Sequence, residues 1–225
     1  MKNRMSRASL METCQAMGKS DLTPGRSGNL SARATDMDGF VITPSGIAFD
    51  RMDAEDMVEI KMDGVVLAGQ QGRPSSKWKL HWEVYKARAD IGGIVVCQSR
   101  YATALACAHV PIPAFHYMVA ISGGPSIRCA PYAFYDSPEF AAHAVTALKD
   151  RRCALMANHG QIATGPTLDE AFELAREFEN LCGEFWHTLQ LGAPKLLSEA
   201  DMAPVLEHFG RFKPRENSVL RKQFD

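Results

Sequence analysis

The sequence contains no apolar run long enough to cross a membrane as a helix. Such a span needs about 20 consecutive apolar residues, and no run among the 225 residues approaches that length. The N-terminal residues 1–7 are basic but have no apolar core behind them, which argues against a secretory signal. We therefore expect a cytoplasmic protein that has no membrane partner.

The chain also lacks an excess of charge of either sign. Its 25 Lys and Arg residues nearly balance its 26 Asp and Glu residues, for a formal net charge of −1. This balance gives no electrostatic reason to expect nucleic acid as a partner. A hydrophobic fraction of 46% and a charged fraction of 23% are those of an ordinary globular domain.

Closely spaced cysteine pairs are absent as well. The six cysteines lie far apart, and most of them fall in apolar runs, at positions 14, 97, 107, 129, 153 and 182. This pattern predicts reduced, buried thiols rather than a disulfide framework. Cys97 stands apart, because it comes at the end of a predicted strand, where α/β proteins place their chemistry.

Two hairpin patterns decide the class of fold. Residues 29–33 and 39–42 read as short strands joined by a turn, and residues 58–67 repeat that pattern around Asp63-Gly64. Because hairpin strands are antiparallel, a purely parallel sheet is not expected. We predict an α/β protein with a single domain over residues 1–225: a three-layer αβα fold around a mixed, largely antiparallel sheet, with a polar tail from about residue 210.

Apolar periodicity and capping residues locate the other elements. Ser137 with Pro138, and the capping box Thr167-Leu168-Asp169-Glu170, mark two helix starts. Helices are predicted at residues 5–18, 78–89 and 101–108, from 138, from 168 and from 199. Further strands are predicted at residues 93–98, 153–156 and 161–163.

Three short segments are rich in glycine and hydroxyl groups. They are residues 25–29, residues 43–46, and Ser75-Ser76 at a predicted helix start. Brought together, their backbone N–H groups, hydroxyls and helix dipole would form an anion site suited to a phosphate ester. Each segment alone is more often simply a turn or a helix cap.

Three single residues could have either a functional or a structural role. His159, between a strand and Gly160, is a candidate metal ligand or acid/base group, or else a structural histidine. Tyr117 follows a proline-rich loop and could donate a proton or simply pack. His81 lies on the apolar stripe of its helix, so we expect it in the core.

Five motifs in a fixed order make the chain resemble the class II aldolase/adducin family over roughly residues 5–210. The motifs are Gly28-Asn29-Leu30-Ser31, Ile42-Thr43-Pro44-Ser45-Gly46, Pro74-Ser75-Ser76, Ile112-Pro113-Ala114-Phe115-His116-Tyr117-Met118 and Asn158-His159-Gly160. The resemblance implies an αβα fold and a homotetramer with active sites near subunit interfaces. The family's aldolases, which are aldehyde-lyases, cleave a phosphorylated sugar into dihydroxyacetone phosphate and an aldehyde.

The resemblance also assigns roles by motif position. It implies that Tyr117 protonates the aldehyde product and that His159 is one of the zinc ligands. The residues that it places in a phosphate cradle are Asn29, Ser45, Gly46, Ser75 and Ser76.

The chain departs from the family pattern at three positions. Lys77 stands where the family has its acid/base glutamate, and Cys97 and Ser99 stand where it has two zinc-binding histidines. A catalytic zinc needs about three protein ligands. A serine hydroxyl is a poor one, and the Lys77 ammonium would repel a dication, so we expect no zinc cofactor. A different metal held by Cys97 and His159 stays open.

Three functional hypotheses remain. In the first, a phosphosugar enzyme uses Lys77 in place of the metal, as an ammonium or through a Schiff base, with Tyr117 as the second catalytic residue. In the second, a non-catalytic member binds a phosphorylated metabolite or serves in assembly, as adducin's head domain does. In the third, the chain is an ordinary zinc aldolase.

Overall fold

The computed structural model of the chain describes residues 7–34, 36–67 and 72–211. Within these residues seven strands form one sheet in the spatial order β3-β2-β1-β4-β7-β6-β5. The strands are β1 (Asn29–Arg33), β2 (Gly39–Ile42), β3 (Val58–Lys61), β4 (Gly93–Cys97), β5 (Cys129–Ala130), β6 (Cys153–Met156) and β7 (Gly160–Gly165).

Six α-helices accompany these strands in the described part of the chain. They are α1 (Arg7–Gly18), α2 (Trp78–Ala87), α3 (Arg100–Cys107), α4 (Pro138–Ala147), α5 (Leu168–Leu191) and α6 (Glu199–Arg211). Two of the predicted caps form as expected, because the Ser137 hydroxyl accepts from Phe140 N and the Thr167 hydroxyl accepts from Glu170 N. None of the described helices is long and apolar enough to span a bilayer.

The sheet is mixed and largely antiparallel, as predicted. Only the β5–β6 pair is parallel, and the other five neighbouring pairs are antiparallel. The predicted hairpin at residues 58–67 forms β3 and a single bridge between Ile60 and Val66. The strand β5 was not predicted, because a two-residue strand carries no periodicity.

Helices cover both faces of the sheet, which confirms the three-layer αβα fold. Alternate residues of β4 enter different layers, as strand geometry requires. Val95 and Cys97 join the core formed with α1, α3 and α5, whereas Ile94 and Val96 join the core formed with α2 and α4. The site described below lies where β1, β4 and α2 meet.

Most predicted boundaries agree with the structure to within two residues. The helix predicted at 78–89 ends at Ala87, and the strand predicted at 161–163 extends over Gly160–Gly165. All six cysteines are free, with Cys107 exposed, Cys129 half-buried and the other four buried. The polar tail lies beyond the described residues after Arg211, and the single domain over residues 1–225 stays a prediction.

The start of α5 presses against the start of β4. A Cβ atom built on Gly93 would lie 2.3 Å from Leu168 Cα and 2.5 Å from Leu168 N, so a side chain there would push the helix away from the sheet. This close approach fixes α5, whose later turns reach the end of β4.

We predict that Gly93→Ala destabilises the fold by about 3 kcal/mol, because the added methyl group meets backbone that cannot move aside. The matched control is Gly210→Ala in α6, where a Cβ atom meets nothing within 4 Å. There the same substitution should stabilise by up to about 1 kcal/mol, since alanine favours a helix. Urea unfolding measures both, and a Gly93→Ala protein as stable as the parent would contradict the close approach.

Candidate active site

Backbone hydrogen bonds bring the three predicted cradle segments together. Ser75 N donates to Thr43 O at 3.1 Å, and Ser45 N donates to Arg73 O at 2.8 Å. Leu30 N donates to the Thr43 hydroxyl at 3.2 Å, which joins the start of β1 to the same turn. The segments around Asn29, Ser45 and Ser75 are therefore neighbours.

The five cradle candidates differ in exposure. Asn29 and Ser75 are nearly buried, at 5% and 7% of their full exposure, whereas Ser45, Gly46 and Ser76 are exposed. Gly46 has φ +82°, a conformation that favours glycine. The mixture of anchored and solvent-facing polar groups is what an open anion site requires.

The helix α2 begins at Trp78, as predicted. Lys77 occupies its capping position, and the Ser75 hydroxyl accepts from Lys77 N at 3.3 Å. Both serines lie in the turn before the helix, where the positive end of the helix dipole favours an anion.

The Lys77 side chain lies at the edge of this cradle. Its Nζ atom is 3.1 Å from the Ser76 hydroxyl and 3.9 Å from the centroid of the Tyr135 ring. Burial lowers the pKa of Lys77, and the Asp136 carboxylate partly offsets that change. The lysine is thus a half-buried cation beside the proposed anion site.

His159 lies close to Lys77. Burial, together with the Lys77 charge, lowers the pKa of His159 to about 4, so the imidazole is neutral near pH 7. Its ring packs edge-on against Phe140 at 4.8 Å between centroids. Gly160, with φ +134°, follows it so tightly that a Cβ atom there would lie 2.4 Å from Cys97 O.

Cys97 lies on the opposite face of the sheet from His159. Its side chain belongs to the core of α1, α3 and α5. Burial raises the pKa of the Cys97 thiol to about 12. A protonated thiol in an apolar core is not placed to bind a metal together with His159.

Ser99 is committed to a hydrogen-bond network with α5. Its hydroxyl donates to Glu179 Oε2 at 2.6 Å and accepts from Gln161 Nε2 at 2.7 Å. The Glu179 carboxylate also accepts from Tyr101 N and Ala102 N at the start of α3. Glu179 therefore caps α3, and the Ser99 hydroxyl holds that carboxylate in place.

The resemblance assigns zinc ligands to positions 97, 99 and 159, and the residues at these positions suit zinc poorly. Among the described residues there is no group of three or more His, Cys, Asp or Glu side chains that could hold a metal ion. The donors themselves explain this: a buried thiol, a hydroxyl bonded to a carboxylate, and an imidazole beside an ammonium do not form a three-ligand zinc site.

Gln98 contacts His159 instead, and sequence reasoning missed it. The Gln98 amide nitrogen lies 3.4 Å from His159 Nε2. Its carbonyl oxygen is buried and has no hydrogen-bond partner among the described residues. Strand alternation was the available signal, because residues 97 and 99 share one side and residue 98 takes the other.

Tyr135 was missed too, although the exposed aromatic residues Tyr132, Phe134 and Tyr135 form a visible run in the sequence. Tyr117, in contrast, was predicted but lies elsewhere. It begins a short 3₁₀ helix, Tyr117–Ser122, and is half exposed. Its ring stacks on His116 at 4.7 Å between centroids, and the structure does not bring it to Lys77.

Comparisons with known proteins agree with this geometry. Residues 8–186 match the family described as Class II Aldolase and Adducin N-terminal domain. A 5-methylthioribulose-1-phosphate/5-deoxyribulose-1-phosphate aldolase of Rhodospirillum rubrum is 40% identical over 203 residues, covering 90% of each chain. An L-fuculose phosphate aldolase of Escherichia coli K12 is 37% identical over 209 residues, covering 92% of this chain and 95% of that protein.

Solved structures show the same fold. An L-fuculose 1-phosphate aldolase superposes with a TM-score of 0.86 at 35% identity, covering 92% of this chain and 98% of the other. At this identity and coverage the likeness extends over the sheet and both helix layers.

Two serine-to-alanine changes should have opposite effects. Ser99→Ala removes a hydrogen bond to a charged carboxylate, so we expect it to lower stability by about 1–3 kcal/mol without weakening phosphate binding. Ser76→Ala removes an exposed hydroxyl, so it should leave stability within about 0.5 kcal/mol and weaken phosphate binding. Thermal unfolding and calorimetry with dihydroxyacetone phosphate measure the two properties. Loss of binding only in Ser99→Ala would refute this division of roles.

Proposed function

The chain belongs to the class II aldolase and adducin N-terminal domain family, and from this premise we propose that it binds a ketose 1-phosphate and cleaves it by a retro-aldol reaction. Two relatives above are named for 1-phosphates of ketoses, ribulose derivatives in one case and L-fuculose in the other. Cleavage between C3 and C4 of such a substrate yields dihydroxyacetone phosphate and an aldehyde.

The phosphate group fits the cradle. Its negative charge would meet the positive end of the α2 dipole and the hydroxyls of Ser75 and Ser76. Asn29, Ser45 and Gly46 would complete the contacts from the two neighbouring segments. The support for this assignment is that the backbone hydrogen bonds described above hold all three segments together.

The observation that carries the proposal is the position of Lys77. Its Nζ atom lies beside Ser76, within reach of the C2 carbonyl of a ketose whose C1 phosphate occupies the cradle. When the C3–C4 bond breaks, its electron pair moves toward C2 and creates negative charge there. An ammonium stabilises that charge electrostatically, which is the role that zinc has in the family.

A lysine with a lowered pKa also allows covalent catalysis. The neutral amine adds to the C2 carbonyl and loses water, which leaves a protonated imine. Loss of the C4 hydroxyl proton then breaks the C3–C4 bond, releases the aldehyde and turns the imine into an enamine. Protonation at C3 and addition of water release dihydroxyacetone phosphate and restore the amine.

Proton transfers need further groups. His159, which is neutral and lies near Lys77, would take up the proton released from the C4 hydroxyl and then deliver it to C3. Tyr117 would relay that proton from the C4 oxygen. Because Tyr117 is half exposed and its described ring contact is to His116, it would act on the site of a neighbouring subunit, in the homotetramer implied by the family.

The buried Gln98 carbonyl oxygen supports a hydroxylated ligand. It lacks a partner among the described residues, and an orphaned buried acceptor carries a free-energy cost. A substrate hydroxyl near His159 would satisfy it.

We further propose that the site works without zinc. Supporting this are the core position of Cys97, the commitment of Ser99 to Glu179, and the Lys77 charge beside His159. Binding of a phosphorylated metabolite without turnover is the alternative function, since the family's acid/base carboxylate is replaced by Lys77.

The decisive experiment combines turnover, metal content and trapping. Purified protein should cleave a member of a panel of ketose 1-phosphates, with activity unchanged by a chelator and with substoichiometric zinc. Stoichiometric zinc and loss of activity with the chelator would overturn the metal-free site. Tight binding of dihydroxyacetone phosphate with no cleavage of any panel member would instead favour the non-catalytic alternative.

Lys77 variants separate its two possible modes of action. Lys77→Met should abolish cleavage, whereas Lys77→Arg, which keeps the charge but cannot form an imine, should retain activity only if the ammonium acts electrostatically. Borohydride with dihydroxyacetone phosphate should trap an adduct at residue 77 only in the imine mode. Lys79→Met, at an exposed position on the same helix, is the matched control, and equal activity of both methionine variants would refute a role for Lys77.

A further inference from the structure

A row of polar side chains crosses the apolar layer directly beneath the cradle. Asn29 and Ser31 alternate along β1, and His81 and Tyr85 lie one turn apart on α2, so all four face one another. Their surroundings are the apolar core of α2 and α4. His81 and Ser31 have no solvent exposure. The expectation that His81 is buried is thus confirmed, but its hydrogen bonds were not foreseen.

Three short hydrogen bonds link these side chains into one chain of contacts. His81 Nε2 lies 2.7 Å from Asn29 Oδ1, and His81 Nδ1 lies 2.6 Å from the Ser31 hydroxyl. The Ser31 hydroxyl in turn lies 2.9 Å from the Tyr85 hydroxyl. Buried polar groups with complete partners of this kind fix a side chain in one orientation.

The far end of the row sets the direction of every bond. The Tyr85 hydroxyl has no second hydrogen-bond partner among the described residues, so its proton must go to Ser31. Ser31 then donates to His81 Nδ1, which accepts. A neutral imidazole has one donor and one acceptor, so His81 Nε2 carries the proton and donates it to Asn29.

Burial keeps this imidazole neutral. It lowers the pKa of His81 to about 3, so the ring keeps one donor nitrogen and one acceptor nitrogen near neutral pH. Arg33 holds the end of the row in place, since its guanidinium lies 4.7 Å from the Tyr85 ring centroid and donates to the carbonyl oxygens of Tyr85 and Ile91.

The orientation of Asn29 follows. Its carbonyl oxygen is turned inward by the His81 donor, and its amide nitrogen is therefore left on the side of the cradle. With the amide reversed, the carbonyl oxygen would face the ligand, and an oxygen acceptor repels a phosphate. An asparagine at a partly open position does not choose between these orientations unaided, because the two ends of the amide have the same shape.

We propose that His81 is a positioning residue for phosphate binding, which acts by holding the Asn29 amide with its N–H groups toward the phosphate. The inference takes the identity of the ligand from the proposed function, but it does not depend on turnover of that ligand. It predicts an energetic coupling between His81 and Asn29 that a purely structural histidine would not show.

The test uses dihydroxyacetone phosphate as ligand, measured by calorimetry, together with thermal unfolding. His81→Leu removes the donor and should weaken binding about tenfold or more, the size of one lost hydrogen bond to a charged group. Asn29→Ala should cause a similar loss. The double variant should bind no worse than the weaker single variant, because both changes remove the same contact.

Two further variants separate positioning from general destabilisation. His81→Gln keeps an amide donor that can reach Asn29, and it should restore binding to within a few fold of the parent. Val84→Ala truncates a buried apolar neighbour on the same helix and should lower the unfolding temperature without weakening binding. If His81→Leu does not fold, His81→Gln alone decides, with a tenfold loss counting against the proposal.

The outcomes distinguish this inference from the proposed function. A parent protein that binds the ligand, with losses that add in the double variant or appear equally in Val84→Ala, overturns the role of His81 alone. A parent protein that binds the ligand but does not cleave it overturns only the lyase activity. The positioning role of His81, which concerns binding, is then still tested by the variants. A parent that fails to bind any phosphate ester overturns both.

Discussion

The alternation of side chains at the end of β4 sets which of its residues pack toward α5 and which meets His159. Residues 97 and 99 turn toward α5, where one is buried in the core and the other is bonded to Glu179. Residue 98 turns the other way and meets His159. Since a strand presents consecutive residues on alternate sides, Cys97 and Ser99 meet groups on the α5 side while Gln98 contacts His159.

A cation on a flexible side chain lies beside the cradle. Lys77 is half-buried, and its ammonium lies between the Ser76 hydroxyl and the face of the Tyr135 ring. A partly desolvated charge interacts more strongly with an anion than an exposed one does. The same desolvation lowers its pKa, so electrostatic and covalent roles both follow from one placement. The neutrality of His159 is a consequence of the same neighbourhood.

Two polar networks, one in each core, support this region from below. On the α5 side, Glu179 gathers Ser99 and two N–H groups of α3. On the α2 side, His81 links Asn29 to Ser31. Buried polar groups cost free energy unless they are paired, and such networks make a core specify one arrangement. Both networks end at segments that carry candidate site residues. The hydrogen bonds that fix the packing of each core therefore also fix the positions of these site residues.

The sequence by itself determined the layers of the fold and the ordered segments of the cradle. Hairpin turns, helix caps and apolar periods are local signals, and Ser75 and Asn29 stand in motifs that can be read without a structure. Only the tertiary structure decided that Ser99 serves a helix cap, that Gln98 meets His159 and that His81 bonds to Asn29. These pairs lie dozens of residues apart in the chain, and which side chains meet depends on the register of β1 and β4 and on the packing of α2 and α5 against them. Periodicity shows that a residue is buried, but not what its polar atoms contact.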